Sequence, residues 1–404
     1  MRVRRSACFY LLFQMSPNVL LSLYEKLEGL ISKLPGPLQH AVFNELRPIK
    51  QIFIAQRLPR IALVGEPGTD VSAIFSALLG NELRMVEPTS STGWVTYEQR
   101  GKGGFRILDG RRLNENSLTW GALAGAISEE CPDLFLFVLN GGKQNTSGSG
   151  SSNDLGLECE QAGRILELVE THHQSKGGMI GVIDLPASTP SDAIEAKRLD
   201  LQAWLTSQAR LSRHFVKSVA ICSFVRFRPD GSIDAGRDER KSIEFLAEAI
   251  ARDLPEESQV ELARLLHIKA LQTEIAQRLT RSITTICAAI GAQPIPLADF
   301  PILTALQFAM VSGIMHISGR ELGLKAATEF CGALGMNLGV GVVLREGARA
   351  AVKFLPGWGN AISGGVAAAG TYAMGRAAIS YFIEGISLPE TRKLFGRKGL
   401  SKRK

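Results

Sequence analysis

A chain of 404 residues, 45% of them hydrophobic, has room for two or three domains with cores of their own. The net charge of +7 is local: residues 391–404 hold Arg392, Lys393, Arg397, Lys398, Lys402, Arg403 and Lys404 without an acid, and these seven account for the excess of 46 bases over 39 acids. With the body neutral, the tail reads first as a solvated end, then as a contact for an anionic membrane surface and only third for nucleic acid. Six cysteines scattered without CxxC or metal-ligand spacing read as reduced core residues of a cytoplasmic protein rather than a disulfide framework.

The start, MRVRRSACFYLLFQM, is basic and then apolar like a leader, but Gln14 interrupts the run and no small-x-small cleavage pattern follows. Met15 opens a cleaner amphipathic sequence, so residues 1–14 read as an arm or an upstream-start extension ahead of Met15. Residues 16–58 carry apolar positions at helical spacing on either side of Pro35-Gly36-Pro37, which predicts two helices joined by a turn. Together residues 1–58 form an N-terminal arm and helical collar against the following domain.

Pro59–Gly80, PRIALVGEPGTDVSAIFSALLG, is the organising stretch. Ile61–Val64 is a short apolar run of strand type, Gly65-Glu66-Pro67-Gly68-Thr69 is a turn, and Val71, Ile74, Leu78 and Leu79 recur at helical spacing. Strand, glycine turn and helix in that order set backbone N–H groups and a helix N-terminus around an anion. Laid over G-x-x-x-x-G-K-[ST], Gly65 and Ser72 fit, but Asp70 stands at the second glycine and Val71 at the lysine. A carboxylate repels a triphosphate there, and valine brings no charge to it.

Beyond it, strands and helices alternate to residue 254. Trp94–Arg100 reads as extended, Phe105–Asp109 as a strand ending in an acid, and DLFLFVLN at 133–140 as a buried strand. A Gly/Ser/Asn-rich loop, Gly141–Gly156, precedes a helix over 157–175. A strand over Gly178–Leu185, a helix over Ser191–Leu211, a last strand over Lys217–Val225 and a helix over Glu239–Leu254 complete the set. Apolar strands alternating with helices predict a mainly parallel sheet covered on both faces. Ligands on such sheets bind beyond the carboxyl ends of the strands, where Gly65–Thr69, Asp109, Asn140 and Asp184 all fall.

This order of elements over residues 59–254 resembles the small GTPases of the Era type. FSALLG at 75–80 looks like the helix after that family's phosphate loop, and Thr89–Thr92 stand in the place of its switch threonine. Asp109 matches the acid of D-x-x-G, with Arg112 in place of the glycine; Asp184 matches the acid of N-K-x-D, with Gly181 and Val182 in place of Asn and Lys. The resemblance implies an Era/Ras-like P-loop GTPase domain that binds GTP through Gly65, Gly68, Thr69, Ser72, Thr92, Asp109 and Asp184, with Mg²⁺ on Ser72 and Asp109. Three motifs are each half kept, so it implies weak or lost nucleotide binding, and no water-positioning residue for hydrolysis is evident. Arg111 and Arg112 are the bases placed to replace the missing lysine.

Residues 255–390 change character. A long helix is predicted to about residue 290, charged at first; then Phe300–Gly319, Phe330–Leu344 and Phe354–Gly375 carry no charge at all. Glycines and alanines crowd Gly357–Gly375, the composition of helices that approach closely, within the chain or between copies of it. These segments resemble the hydrophobic C-terminal helical domain of the uncharacterised YcjF-like bacterial family, which often follows an Era-like domain. His316, in an apolar run, reads as a satisfied core histidine, and the pair His172-His173 as a favourable charge at a helix C-terminus.

Phe300–Gly319 approaches the length of a membrane span, and an apolar segment with a basic tail at 391–404 makes a two-signal anchor for anionic lipid. The expectation is an all-α hydrophobic domain at the cytoplasmic face of the inner membrane, carrying a GTPase-like switch or scaffold. The alternatives are a working GTPase that holds phosphate by backbone amides and arginines, and a structural helical assembly protein with no nucleotide role.

Overall fold

The computed structural model describes residues 29, 32, 36–53, 55–83, 93–99, 103–111, 120–142, 155–291, 299–320, 330, 332 and 359–395. It divides the chain into two compact units, Arg57–Ile268, and Met1–Gln56 together with Lys269–Lys404. The expectations on residues 1–14, Thr89–Thr92, Arg112, most of Gly141–Gly156 and the last bases of the tail lie outside the described residues.

The first unit is α/β. Six strands, β1 (Arg60–Gly65), β2 (Trp94–Gln99), β3 (Gly103–Asp109), β4 (Leu134–Asn140), β5 (Met179–Asp184) and β6 (Phe215–Ile221), form one sheet in the order β2-β3-β1-β4-β5-β6. Every pairing is parallel except β2 with β3. The continuous apolar runs are explained by burial on both faces: Ile61–Val64 and Leu134–Leu139 are all buried, paired Ile61 to Leu134 and Leu63 to Leu136.

Helices α2 (Val71–Leu79), α3 (Trp120–Glu129), α4 (Gly156–His173), α5 (Ser191–Ser207), α6 (Ile243–Asp253) and α7 (Glu256–Leu265) accompany the sheet. One face presents Ala62, Val64, Phe135, Phe137 and Met179 to Leu123 and Ile127 of α3, Ile165 and Leu166 of α4, and Leu201 and Leu205 of α5. Gly181 lets α5 close on β5, because a Cβ there would come 2.4 Å from Leu205 Cδ1. At the amino ends of the strands Asp133 accepts two 2.6 Å bonds from Arg57 and one of 2.9 Å from the Arg60 amide. That carboxylate pins the starts of β1 and β4 together.

In this unit a short helix and a hairpin have no counterpart in the sequence reading. Helix α3 is short and rich in glycine and alanine, with only Leu123, Ala126 and Ile127 buried. A hairpin of β7 (Val225–Phe227) and β8 (Ile233–Asp238) follows β6 through a turn in which Gly231 has φ +80° and Asp230 accepts from the Ser232 amide at 2.9 Å. The expected single helix over 255–290 is also broken. His267 takes φ +52°, its amide bonds Arg264 O, and the Ile268 amide bonds Ala263 O at 3.2 Å, so α7 ends in a Schellman motif with histidine where glycine is usual.

The second unit is helical: α1 (Gly36–Phe53), α8 (Lys269–Gly291), α9 (Asp299–Ile317), α10 (Gly359–Phe382) and α11 (Leu388–Phe395). Helix α8 is its centre, packed by α1, α9 and α10, so the N-terminal helix belongs with this unit. Among the described residues, the close approach anticipated for the glycine-rich stretch is found at Gly375. A Cβ on Gly375 would lie 2.3 Å from Thr280 Cγ2, whereas Gly365 and Gly370 have open space. Within the core Gln307 donates to Thr371 Oγ1 at 3.0 Å, and burial pushes the Cys287 thiol, bonded to Thr371, up to about 12. His316 is buried and hydrogen-bonded to Gln56 Oε1 at 3.0 Å. Among the described residues no helix is long and apolar enough to cross a membrane, Phe300–Gly319 included.

Candidate functional site: the crevice beyond strand β1

The crevice lies beyond the carboxyl ends of β1 and β4, where connections leave the sheet in opposite directions. Gly65 turns the chain out of β1 with φ +104°, and any Cβ there would sit 2.5 Å from Val138 O. Only glycine fits, which is the physical reason for the first motif residue. The turn is closed by Glu66 N to Val138 O at 2.9 Å and Thr69 N to Glu66 O at 3.3 Å.

Two acids at this turn are themselves engaged by amides of the chain. Asp70 is the N-cap of α2, its Oδ1 accepting from Ala73 N at 3.0 Å, an ordinary and stabilising use of aspartate. Glu66 folds across to β4, where its Oε2 accepts from Asn140 N at 2.8 Å. Asn140 in turn caps the next turn, Oδ1 accepting from Gly142 N at 2.9 Å. Gly68 is exposed on the turn, Thr69 is buried to 4% exposure, and Ser72 is half-buried in the first turn of α2.

Asp109 ends β3 and does not face the crevice alone. Arg111, only 6% exposed, donates from Nε to Asp109 Oδ1 at 2.9 Å and from NH2 to Oδ2 at 2.7 Å. Its remaining arm, NH1, donates to the carbonyl of Thr69 at 2.7 Å. Of the two bases expected to replace the loop lysine, Arg111 therefore does stand against the loop, already committed to a carboxylate.

Asp184 is the last residue of β5 and accepts from Ser223 N at 2.9 Å and Ser223 Oγ at 2.6 Å. Burial raises its pKa above the usual carboxylate range, the Ser223 bonds oppose the rise, and the charge of Asp70 adds to it. Gly181 and Val182 lie inside β5, buried against neighbours, rather than beyond its end. Lys241 donates to the carbonyls of Thr189 at 2.8 Å and Ala187 at 3.3 Å in the turn after β5.

The structure thus gathers Gly65, Gly68, Thr69, Ser72, Asp109 and Asp184 on one edge of the sheet. It adds Ser223, which sequence reasoning did not place at this edge, and gives partners to Glu66 and Asn140, which it did. Glu66 carried a readable signal, an acid inside a turn expected to hold an anion. Ser223 carried none, because its partner is 39 residues away. Described acids on this edge are Glu66, Asp70, Asp109 and Asp184, with Arg111 and Lys241 as described bases; among the described residues no group of three His, Cys, Asp or Glu side chains is placed to hold a metal ion.

The chain matches no protein-family model and no curated protein.

Proposed function

We propose that this chain is a GTPase-like scaffold whose α/β unit works without bound nucleotide. The strand order, with its single antiparallel edge strand, supports an Era/Ras-like domain, as does the glycine turn that follows β1. One observation carries the rest: the acids around the crevice are held by the chain's own groups. Asp70 caps α2, Glu66 holds the amide of Asn140, and both oxygens of Asp109 accept from Arg111. A triphosphate would have to meet Asp70 and Glu66 at close range without a lysine, and Mg²⁺ would have to displace a fork-paired guanidinium from Asp109. The residues present do not fit GTP with Mg²⁺ in the manner the family implies.

A second reading, a working GTP binder in which Arg111 supplies the lysine's charge, has one observation in its favour, the 2.7 Å bond from Arg111 to the loop. It is the weaker one, because the same guanidinium is neutralised by Asp109. The basic segment after α10 supports a further part of the proposal, contact with anionic lipid at the cytoplasmic face of the inner membrane. Arg392 and Lys393 are exposed on α11, and surface contact needs no spanning helix.

Melting the full chain with and without about 1 mM GTP·Mg²⁺ tests the nucleotide part. A ligand at a hundred times its Kd adds about 2.7 kcal/mol to stability, which moves Tm by several degrees. The scaffold reading expects no shift for the unaltered chain. A shift of several degrees that needs Mg²⁺ overturns it in favour of the second reading.

A further inference from the structure

Two Asp-x-Arg segments, Asp109-Gly110-Arg111 and Asp238-Glu239-Arg240, close strands β3 and β8, and they build the same object. In each, the arginine amide donates back to Oδ1 of its aspartate, at 3.1 and 3.2 Å. In each, Nε donates to Oδ1, at 2.9 and 2.8 Å, and NH2 to Oδ2, at 2.7 and 2.8 Å. The fork holds the guanidinium rigid and leaves NH1 to point away from the pair.

The two NH1 groups reach opposite ends of one helix. Arg111 donates to Thr69 O at 2.7 Å, ahead of the first turn of α2, and Arg240 donates to Ala77 O at 2.9 Å, in its last turn. Ala77 O is among the last four carbonyls of the helix, which have no partner within it, and a cation there also complements the helix dipole. Pairing with Arg240 holds Asp238 below the usual carboxylate range, so the clamp is charged at neutral pH.

We propose that the paired clamps lock α2 and its loop from both ends, so that the loop keeps its closed geometry without a ligand and the β7–β8 hairpin is its distant brace. The inference deepens the nucleotide-independent reading and rests on it. Breaking the clamp at the hairpin then loosens the loop at the other end of the helix.

Amide hydrogen exchange of the full chain tests this, comparing Arg240→Ala and Arg240→Lys with Arg237→Ala, an exposed arginine on the same hairpin. Phe135–Leu139 in β4 serves as the internal reference for global opening. Loss of one charge-assisted bond should speed exchange of Ala73 and Ile74, at the loop end, by about tenfold. Lysine should rescue it partly, since it keeps the charge and loses the fork, and Arg237→Ala should change nothing. Faster exchange confined to Ala77–Gly80, or a rise shared equally by β4, overturns the lock. Adding GTP·Mg²⁺ to the unaltered chain separates the two ideas: slower exchange of the loop on adding nucleotide contradicts the nucleotide-independent reading, whereas a silent Arg240→Ala contradicts the clamps alone.

Discussion

Asp184 shows how much of the site rests on single side chains. Its carboxyl is raised by burial first, with the charge of Asp70 adding to that, so the native state binds this proton more readily than the unfolded chain does. The stability it contributes is complete below the unfolded value, near 3.8, and is lost as pH climbs through the raised folded value. Asp184→Asn removes the titration. In urea unfolding between pH 3.5 and 7, the variant should therefore gain on the parent as pH rises, and parallel curves for the two proteins would count against burial as the cause. The departures Asp70 and Val71 were legible in the sequence because they break a fixed spacing. The uses of Glu66, Asp109 and Arg111 were not, since each depends on a partner that only the folded sheet brings near, as Glu66 does with Asn140, 74 residues on.

At the scale of elements, the strands were readable because burial on both faces writes a continuous apolar run. The hairpin was missed because its strands are short, Val225–Phe227 and Ile233–Asp238, although Pro229-Asp230-Gly231 is a turn signature with a mechanism. The break at His267 was missed because no glycine or proline marks it. The glycine-rich helix α10 was legible as a close-packing element, yet spacing alone did not say which glycine touches. Gly375→Ala places a Cβ against Thr280 and should cost about 1–3 kcal/mol. Gly365→Ala, in open space on an exposed face, should instead gain up to about 1 kcal/mol from helix propensity. Urea unfolding of the two variants decides it; equal effects would mean that the α8–α10 contact is not close at Gly375.

For the molecule as a whole, the composition changes near residue 255, whereas the two compact units part after Ile268, and residues before 57 group with the helical one, which composition did not signal. That join is made by side chains such as Gln56 and His316, 260 residues apart. The proposed lipid contact belongs at this scale. Deleting residues 396–404 removes Arg397, Lys398, Lys402, Arg403 and Lys404 while leaving α11 whole. At about 1 kcal/mol per base near an anionic surface, sedimentation with phosphatidylserine vesicles should fall by at least an order of magnitude. Salt at about 1 M, which shortens the screening length to about 3 Å, should mimic the deletion. Equal binding of both forms to neutral and anionic vesicles would remove the electrostatic role.

The central claim is that this chain fills its own phosphate crevice, and calorimetric titration of GTP·Mg²⁺ into the full, unaltered protein tests it most directly. The account predicts no saturable heat at ligand concentrations up to about 1 mM, the level that corresponds to about −4 kcal/mol of binding free energy. Stoichiometric, Mg²⁺-dependent binding with a Kd near 1 μM would contradict it.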